Sequence, residues 1–411
     1  VVLRSPKPIG AYPGSQSAWI IKLAKETPNS IFLADRSREE SSWRKITYLE
    51  FLSQIESVAQ ALLNRGLSVE RPVAILSDNS IDNALLLYGA MHVGIPVVPI
   101  SPAYSLMSDD FGKLKYILEM TNPGMVYVVD GEKFEKALKN INFNISELVV
   151  SSNPPAGMDS TDFEELLTVV PTSEVEKNKK KVGPDTIAKI LFTSGSTGQP
   201  KGVINNQRML CSNQQAISQV WTFLDEKPPV TVDWLPWNHT FGGNHNLNMI
   251  LRNGGTMYID GGKPAPGIIE KTVANLREIS PSIYFNVPRG FDMLIPYFER
   301  DPVLREVFFK NLDVIFYAAA ALTQSAWEKL EILSKQAIGR RVVMLSGWGA
   351  TETSPDCTQV YWPISKAGVI GLPIPGTEIN SLKQAHPECP IYIYPAGHGF
   401  NCEQRDSFHL A

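Results

Sequence analysis

The chain has 411 residues, and its 43% hydrophobic content is enough to bury a large core spread over two or three subdomains. Charged residues make up 19% of the chain and the formal net charge is -4, so the composition excludes the basic stripe that a nucleic-acid-binding surface requires. The longest apolar stretch, 84–100, contains His92, glycines and prolines and is too interrupted to span a membrane. Because the four cysteines lack a C-x-x-C pair, we expect no zinc site or disulfide framework, and a reducing, cytoplasmic location.

Short β-rich runs alternate along the chain with segments of helical period. The run 72–76 predicts a buried strand, the segment 80–93 a helix, and the run 95–100 a second strand, which together make one βαβ unit. Alternation of this kind favours an α/β fold of doubly wound, mostly parallel sheets covered on both faces. The later segments of the pattern are a helix at 114–120 and strands at 125–129, 187–192, 282–287, 314–317 and 342–345.

A charged run at 177–182 (KNKKKV) interrupts this pattern. We interpret it as the linker between two sheets, although a solvated surface loop would have the same composition. On this interpretation residues 1–180 form a first α/β subdomain and residues 181–379 a second one. Residues 380–411 form a separate tail.

The string TSGSTGQPKG at 193–202 directly follows a predicted buried strand. Its glycines allow backbone N–H groups to approach an anion closely, and its hydroxyl side chains add donors. Lys201 supplies a positive charge for a phosphate chain. The alternative is an ordinary glycine- and serine-rich surface turn, which the position after a buried strand disfavours. The string is not a Walker A loop, because Lys201 stands between Pro200 and Gly202.

A second string, GWGATE at 347–352, follows another predicted strand and carries Glu352 where a Rossmann fingerprint requires glycine. Together the two strings resemble the signatures of the AMP-forming adenylate superfamily, which contains acyl-CoA synthetases, luciferases and peptide-synthetase adenylation domains. The stretches 233–245, 254–260 and 348–355 are similar to feruloyl-CoA synthase, and the resemblance runs from about residue 3 to about residue 379. It implies the large N-terminal domain of these enzymes, with two doubly wound sheets and a smaller β subdomain.

The resemblance also implies a reaction in two steps. A small-molecule carboxylic acid, expected to be a hydroxycinnamate such as ferulate, attacks the α-phosphate of ATP to give an acyl-adenylate and pyrophosphate. The thiol of coenzyme A then displaces AMP. ATP, Mg²⁺ and coenzyme A are therefore the expected cofactors and substrates. Such a reaction requires positioning and charge neutralisation rather than a covalent nucleophile.

Individual site residues follow from the resemblance. Lys201 would neutralise phosphate charge, Thr351 would contact the α-phosphate, and Glu352 would bind Mg²⁺, a cation that prefers oxygen ligands. His239 would lie beside the substrate carboxylate, where it would gate the pocket or polarise the acid. The expected nucleotide-binding residues are Thr193, Ser194, Gly195, Ser196, Thr197, Gly198, Lys201, Ala318, Ala319, Ala320, Gly349 and Thr351.

Several of these assignments have structural alternatives. The alanines 318–320 would lie along adenine, or would form a tightly packed turn between a strand and a helix. Glu352 has the alternative of a helix N-cap or a surface carboxylate, and His239 that of a satisfied core histidine. His245 is a weaker candidate than His239 for a role beside the substrate carboxylate. Four aromatic residues line an aromatic-acid slot or belong to the core: Trp234, Trp237, Phe241 and Tyr284.

The C-terminal part of the chain departs from the superfamily pattern. The ribose-binding aspartate, the hinge and the small domain with its catalytic lysine have no match beyond residue 379, so we expect weakened adenylation and a lost thioester step. Residues 380–411 instead resemble the last strand and histidine loop of dienelactone hydrolase, with His398 as the base. The chain has no G-x-[SC]-x-G nucleophile elbow to accompany that histidine. The apolar run 391–394 predicts an added edge strand or an exposed one.

The sequence leaves two other functions open. One is a non-catalytic remnant that binds a nucleotide or an acyl group, and the other, with less support, is an α/β-hydrolase. The sequence predicts no oligomeric state.

Overall fold

The computed structural model describes residues 2–36, 42–141, 147–194, 198–380 and 392–395. The chain divides into two compact units. The hairpin unit contains residues 13–211 and 235–259, and the five-stranded unit contains residues 1–12, 212–234 and 260–411.

A seven-stranded sheet forms the centre of the hairpin unit. Its strand pairs are parallel except at one edge, where an antiparallel hairpin is added. The central strands are buried on both faces because helices cover the parallel sheet, as their continuous apolar sequences indicate. In spatial order the strands are Pro200–Asn206, Ile187–Ser194, Val97–Pro99, Val73–Ile75, Met125–Asp130, Leu148–Ser152 and Thr161–Asp162.

The helices of this unit pack their apolar faces on the sheet and on one another. The helix Tyr48–Asn64 begins with a capping box, in which the Glu50 N–H donates to Thr47 Oγ1 and the Thr47 N–H donates to Glu50 Oε2. A smaller sheet pairs Ile31–Arg36 with Trp43–Thr47 and Thr256–Ile259. The other helices are Ser17–Glu26, Ile81–His92, Ala103–Leu106, Gly112–Thr121, Gly131–Asn140, Phe163–Leu167, Ser173–Lys179, the π-helix Phe241–Leu247, and Asn248–Arg252.

The sequence predicted the βαβ unit at 72–100, and the strands Val73–Ile75 and Val97–Pro99 with the intervening helix confirm it. The interpretation of 177–182 as a linker between two sheets is wrong. The charged run instead ends the helix Ser173–Lys179, and the chain then enters Ile187–Ser194 in the same seven-stranded sheet. The compact units therefore differ from the predicted subdomains 1–180 and 181–379. The reason is that the pairing of Lys189 with Val97 joins the hairpin to the earlier strands.

The five-stranded unit contains three parallel strands followed by two antiparallel ones. In spatial order these are Ile283–Asn286, Val314–Tyr317, Val343–Gly349, Asp356–Gln359 and Leu372–Pro373. A further strand is Val230–Asp233. The helices of the unit are Ile269–Glu278, Pro288–Arg300, Pro302–Lys310 and Gln324–Ile338, with 3₁₀ turns at Thr222–Asp225 and Thr351–Thr353. The helix Gln207–Val220 contributes residues 207–211 to the hairpin unit and the rest to this one.

The tail adds one strand to a small antiparallel sheet in the five-stranded unit. Tyr392–Pro395 pairs with Thr377–Asn380, which in turn pairs with Val2–Arg4. For its described residues, 392–394, the predicted strand at 391–394 is confirmed in this edge position. His398 lies outside the described residues, so its predicted role stays a prediction. Within the described ranges, no helix combines the length and the apolar character needed to cross a membrane.

A lysine is buried in the hairpin unit. Lys189 is 0% exposed, and its Nζ lies 3.3 Å from Oδ1 of Asn244. The Asn244 amide donates to Asn205 Oδ1 at 2.8 Å and to Thr240 Oγ1 at 3.1 Å. Burial disfavours the charged ammonium and lowers the pKa of Lys189 from 10.5 to about 7. The network therefore connects the hairpin to the segment that follows His239.

We expect the stability of the protein to rise with pH between about 7 and about 10, because in this range the unfolded lysine binds a proton that the folded one releases. Each unit of pKa difference corresponds to about 1.4 kcal/mol. Replacement of Lys189 by Met removes this contribution and flattens the pH dependence of the urea unfolding midpoint. The exposed Lys22→Met variant is the control. Parallel pH profiles for the wild type and Lys189→Met would show that the buried amine does not titrate in this range.

Candidate active site

The string 193–202 spans the turn of the antiparallel hairpin. Lys201 pairs directly with Thr193, and the Lys201 side chain is exposed. Gly198 has a φ of +91°, a left-handed conformation that favours glycine. Gly195, Ser196 and Thr197 lie outside the described residues, as does the side chain of Ser194. The structure thus brings Thr193 and Lys201 together at the end of a hairpin, with a strand rather than a helix after the loop.

A second group of predicted residues lies at one edge of the five-stranded sheet. The parallel strands Val314–Tyr317 and Val343–Gly349 pair Tyr317 with Ser346. Their chain ends therefore leave the sheet at the same edge. In open α/β sheets, ligands bind outside the carboxyl ends of the strands. The structure brings together, at this edge, Ala318, Ala319, Ala320, Gly349, Thr351 and Glu352.

The alanine segment after Val314–Tyr317 is not a tightly packed turn. Ala319 and Ala320 are exposed, and the next helix begins only at Gln324. Ala319 has a φ of +71°, a conformation that costs a residue with a side chain about 1–2 kcal/mol. An exposed, strained segment of small residues leaves its backbone open to a flat ligand.

The GWGATE string is held in one conformation by close packing. A β-carbon on Gly349 would lie 1.8 Å from the carbonyl oxygen of Pro355, so this position accepts only glycine without a shift of the backbone. The Asn213 amide donates to the carbonyl oxygens of Thr353 at 3.1 Å and Asp356 at 2.8 Å. These contacts fix the two sides of the turn that carries Glu352.

Glu352 is exposed on the 3₁₀ turn Thr351–Thr353, whereas Thr351 is buried. The alternative of an N-cap does not hold, because Ala350 occupies the cap position. Across the part of the chain that the structure describes, no three His, Cys, Asp or Glu side chains are grouped to bind a metal. A single accessible carboxylate fits Mg²⁺, which proteins usually bind through one or two carboxylates together with substrate phosphates and water.

His239 lies in the hairpin unit on a tight turn before the π-helix Phe241–Leu247. Its Nδ1 accepts a hydrogen bond from the Phe241 N–H at 3.2 Å, so the neutral ring carries its proton on Nε2. The residue is exposed, and partial desolvation by the surrounding protein still lowers the pKa of His239 below 6.5. The alternative of a buried core histidine therefore does not fit, and π-helical turns occur frequently at functional sites.

His245 and the predicted slot aromatics are placed differently. His245 is buried, with its ring against Phe241 at a centroid distance of 5.6 Å, as a core residue would be. Tyr284 packs edge-on against Phe291 and Phe308 in the five-stranded unit and also belongs to a core. Trp237 and Phe241 are buried in the hairpin unit, while Trp234 belongs to the five-stranded unit.

A cavity of about 290 Å³ in the five-stranded unit is not part of this site. Its lining includes Asp313, Val314 and Val343, which stand at the beginning of the parallel strands. It therefore opens at the edge opposite to Glu352.

Sequence reasoning did not identify two buried polar residues beside these elements, Lys189 and Gln359. A signal for Lys189 was present, since it is the lysine inside the otherwise apolar run 187–192. Gln359 has no comparable signal, because its burial depends on strand pairing with Gly347.

Comparisons with known proteins agree with this fold. Among curated proteins, the chain is 25% identical over 349 residues to the 4-chlorobenzoate–CoA ligase of Arthrobacter sp., which covers 82% of this chain and 59% of the ligase. It is 22% identical over 288 residues to a long-chain-fatty-acid–CoA ligase of Xenopus laevis, which covers 67% of this chain and 38% of that protein. The chain thus spans less than two thirds of the length of these relatives.

Solved structures share the fold of this chain, and a family model assigns the family. The fold is similar to a long-chain-fatty-acid–CoA ligase from Archaeoglobus fulgidus, with a TM-score of 0.72, 19% identity, and 92% of this chain and 72% of that chain covered. For a benzoate–CoA ligase from Burkholderia xenovorans the TM-score is 0.67, with 20% identity and coverages of 89% and 67%. The predicted α/β fold of the N-terminal domain of adenylate-forming enzymes is confirmed. Because the family model described as AMP-binding enzyme matches residues 22–391, the chain belongs to the family of AMP-binding enzymes.

Proposed function

We propose that this protein uses ATP to activate a small carboxylic acid as an acyl-adenylate for transfer to coenzyme A. The observation that carries the proposal is the pairing of exposed Lys201 with Thr193 at the end of the hairpin, which gives a phosphate chain an ammonium and a hydroxyl donor together. Membership of the family supports it, as do relatives that are named as acid–CoA ligases.

The first step requires the protein to bind and orient charge. An acid carboxylate oxygen forms a bond to the α-phosphorus of ATP, the bond to pyrophosphate breaks, and no proton is transferred. Lys201 neutralises phosphate oxygens, and the Thr351 hydroxyl donates to the α-phosphate as its charge is redistributed. Glu352 would hold Mg²⁺, which, when bound, neutralises phosphate charge. The alanines 318–320 would lie along the adenine ring.

His239 would orient the acid. Its neutral ring carries a proton on Nε2, which is available to donate to one carboxylate oxygen while the other attacks. We propose a hydroxycinnamate such as ferulate as the acid, on the basis of the similarity of 233–245, 254–260 and 348–355 to feruloyl-CoA synthase.

Replacement of Lys201 or Glu352 by alanine is expected to reduce acid-dependent exchange of labelled pyrophosphate into ATP by at least about 100-fold. Each substitution removes a charge that the transition state requires in a fixed position. The measurement is made with ferulate, coumarate, benzoate and acetate in parallel. The controls are Lys22→Ala and Glu26→Ala, which alter a surface ion pair with an N···O distance of 3.8 Å and are expected to leave exchange unchanged.

Absence of exchange with every acid, from folded wild-type protein that binds ATP, would contradict the enzymatic proposal and leave a nucleotide-binding remnant. Equal losses in the control variants would show that the effect of Lys201→Ala is not specific to the phosphate hairpin.

A His239→Phe variant is expected to raise the KM for the acid about tenfold in the same assay and to leave the KM for ATP unchanged, because the ring fills the space without the Nε2 donor. His239→Gln, which retains an N–H donor, is expected to recover part of the loss. If His239→Phe has the wild-type KM for the acid, the residue shapes the pocket and does not hydrogen-bond the carboxylate.

A further inference from the structure

A glutamine amide is buried beside the GWGATE string without a hydrogen-bond partner. Gln359 ends the strand Asp356–Gln359 and is 0% exposed. Among the described residues, neither Nε2 nor Oε1 of its amide has a partner. Native proteins satisfy most buried polar groups, because an unpaired amide loses its hydration without compensation. The Gln359 amide therefore has neither a donor nor an acceptor opposite it among the described residues.

Strand pairing places this amide on one face of the five-stranded sheet. Gln359 pairs with Gly347, and directly paired residues present their side chains on the same face. A β-carbon added to Gly347 would lie 2.4 Å from Oε1 of Gln359 and 3.3 Å from the ring of Phe316. The amide oxygen thus occupies the space beside Gly347 that a β-carbon would need, and the Phe316 ring lies close to the same position.

The aromatic ring nearest to the amide, that of Phe316, belongs to an aromatic cluster. The Phe316 ring packs edge-on against Trp221 at a centroid distance of 5.3 Å and against Phe285 at 6.0 Å. The indole N–H of Trp221 already donates to the carbonyl oxygen of Val360 at 2.9 Å. A polar amide at the border of an aromatic cluster suits a ligand that is itself an aromatic ring with a polar substituent.

We propose that Gln359 determines acid specificity by hydrogen bonding a phenolic hydroxyl on the ring of an aromatic substrate acid, an inference that rests on the proposed adenylating function. The phenol O–H donates to Oε1, and the phenol oxygen or that of a neighbouring methoxy group accepts from Nε2. A ring without the hydroxyl leaves the amide unpaired. Sites built to hydrogen-bond a substrate hydroxyl therefore strongly reject analogues that have no hydroxyl.

Adenine also offers a donor and an acceptor to an amide. The position of Gln359 favours the acid, because its Oε1 and the ring of Phe316 lie beside the same residue, Gly347, and Phe316 is inside the strand Val314–Tyr317. The residues expected to lie along adenine, 318–320, come after that strand and leave the sheet at its edge.

The test is the affinity of the protein for two acids that differ only in the hydroxyl, 4-hydroxycinnamate and cinnamate, measured by titration calorimetry with AMP present. We expect the wild type to bind 4-hydroxycinnamate at least about tenfold more tightly. Gln359→Met keeps the length of the side chain and removes both amide atoms. It is expected to reduce the affinity ratio to within about twofold, with the cinnamate Kd unchanged. The exposed Gln324→Met variant is the matched control and is expected to keep the wild-type ratio.

Equal affinity of the wild type for the two acids would overturn the proposal, as would a Gln359→Met variant that weakens both acids alike. Weaker AMP binding in that variant would assign the amide to the nucleotide and would also overturn it. Pyrophosphate exchange tests the proposed function separately. A wild type without exchange refutes adenylation, while the calorimetric ratio still decides whether Gln359 recognises the hydroxyl.

Discussion

The antiparallel pairing of Ile187–Ser194 with Pro200–Asn206 is the constraint on which both the hairpin core and the proposed phosphate site depend. Directly paired residues share a face, so the pairs Lys189 with Asn205 and Thr193 with Lys201 belong to the same face of the hairpin. The pair Lys189 and Asn205 is buried within the hairpin unit. Lys201 is exposed at the other end of the hairpin. A slip of one residue would exchange these faces, placing Lys201 away from Thr193.

The sequence predicts the parallel strands well, because strands buried on both faces are continuous apolar runs, as in Val73–Ile75 and Val97–Pro99. It does not predict how distant segments combine. The pairing of Val97 with Lys189 joins strands about ninety residues apart, and no local pattern records it. The charged helix Ser173–Lys179 has the composition of a linker, since its exposed face is polar whether or not it separates two sheets.

Motif strings identify the residues of the candidate site but not the contacts that hold them. The turn carrying Glu352 is fixed by the amide of Asn213, which lies 140 residues earlier in the chain than Thr353. The left-handed φ of Ala319 was also invisible in sequence, because alanine carries no preference for that conformation. Such features depend on tertiary packing, which overrides local propensity where a site requires an unusual backbone.

Lys189 and Gln359 show two ways in which a buried polar group is accommodated. Lys189 reduces the free-energy cost of its burial by releasing a proton, as its lowered pKa of about 7 indicates. Its Nζ atom still contacts Oδ1 of Asn244. An amide has no proton to release near neutral pH, so only a hydrogen-bond partner relieves its burial. Gln359 lacks that partner among the described residues. For this reason the proposed ligand would supply the partner that Gln359 lacks, whereas the hairpin unit itself accounts for Lys189.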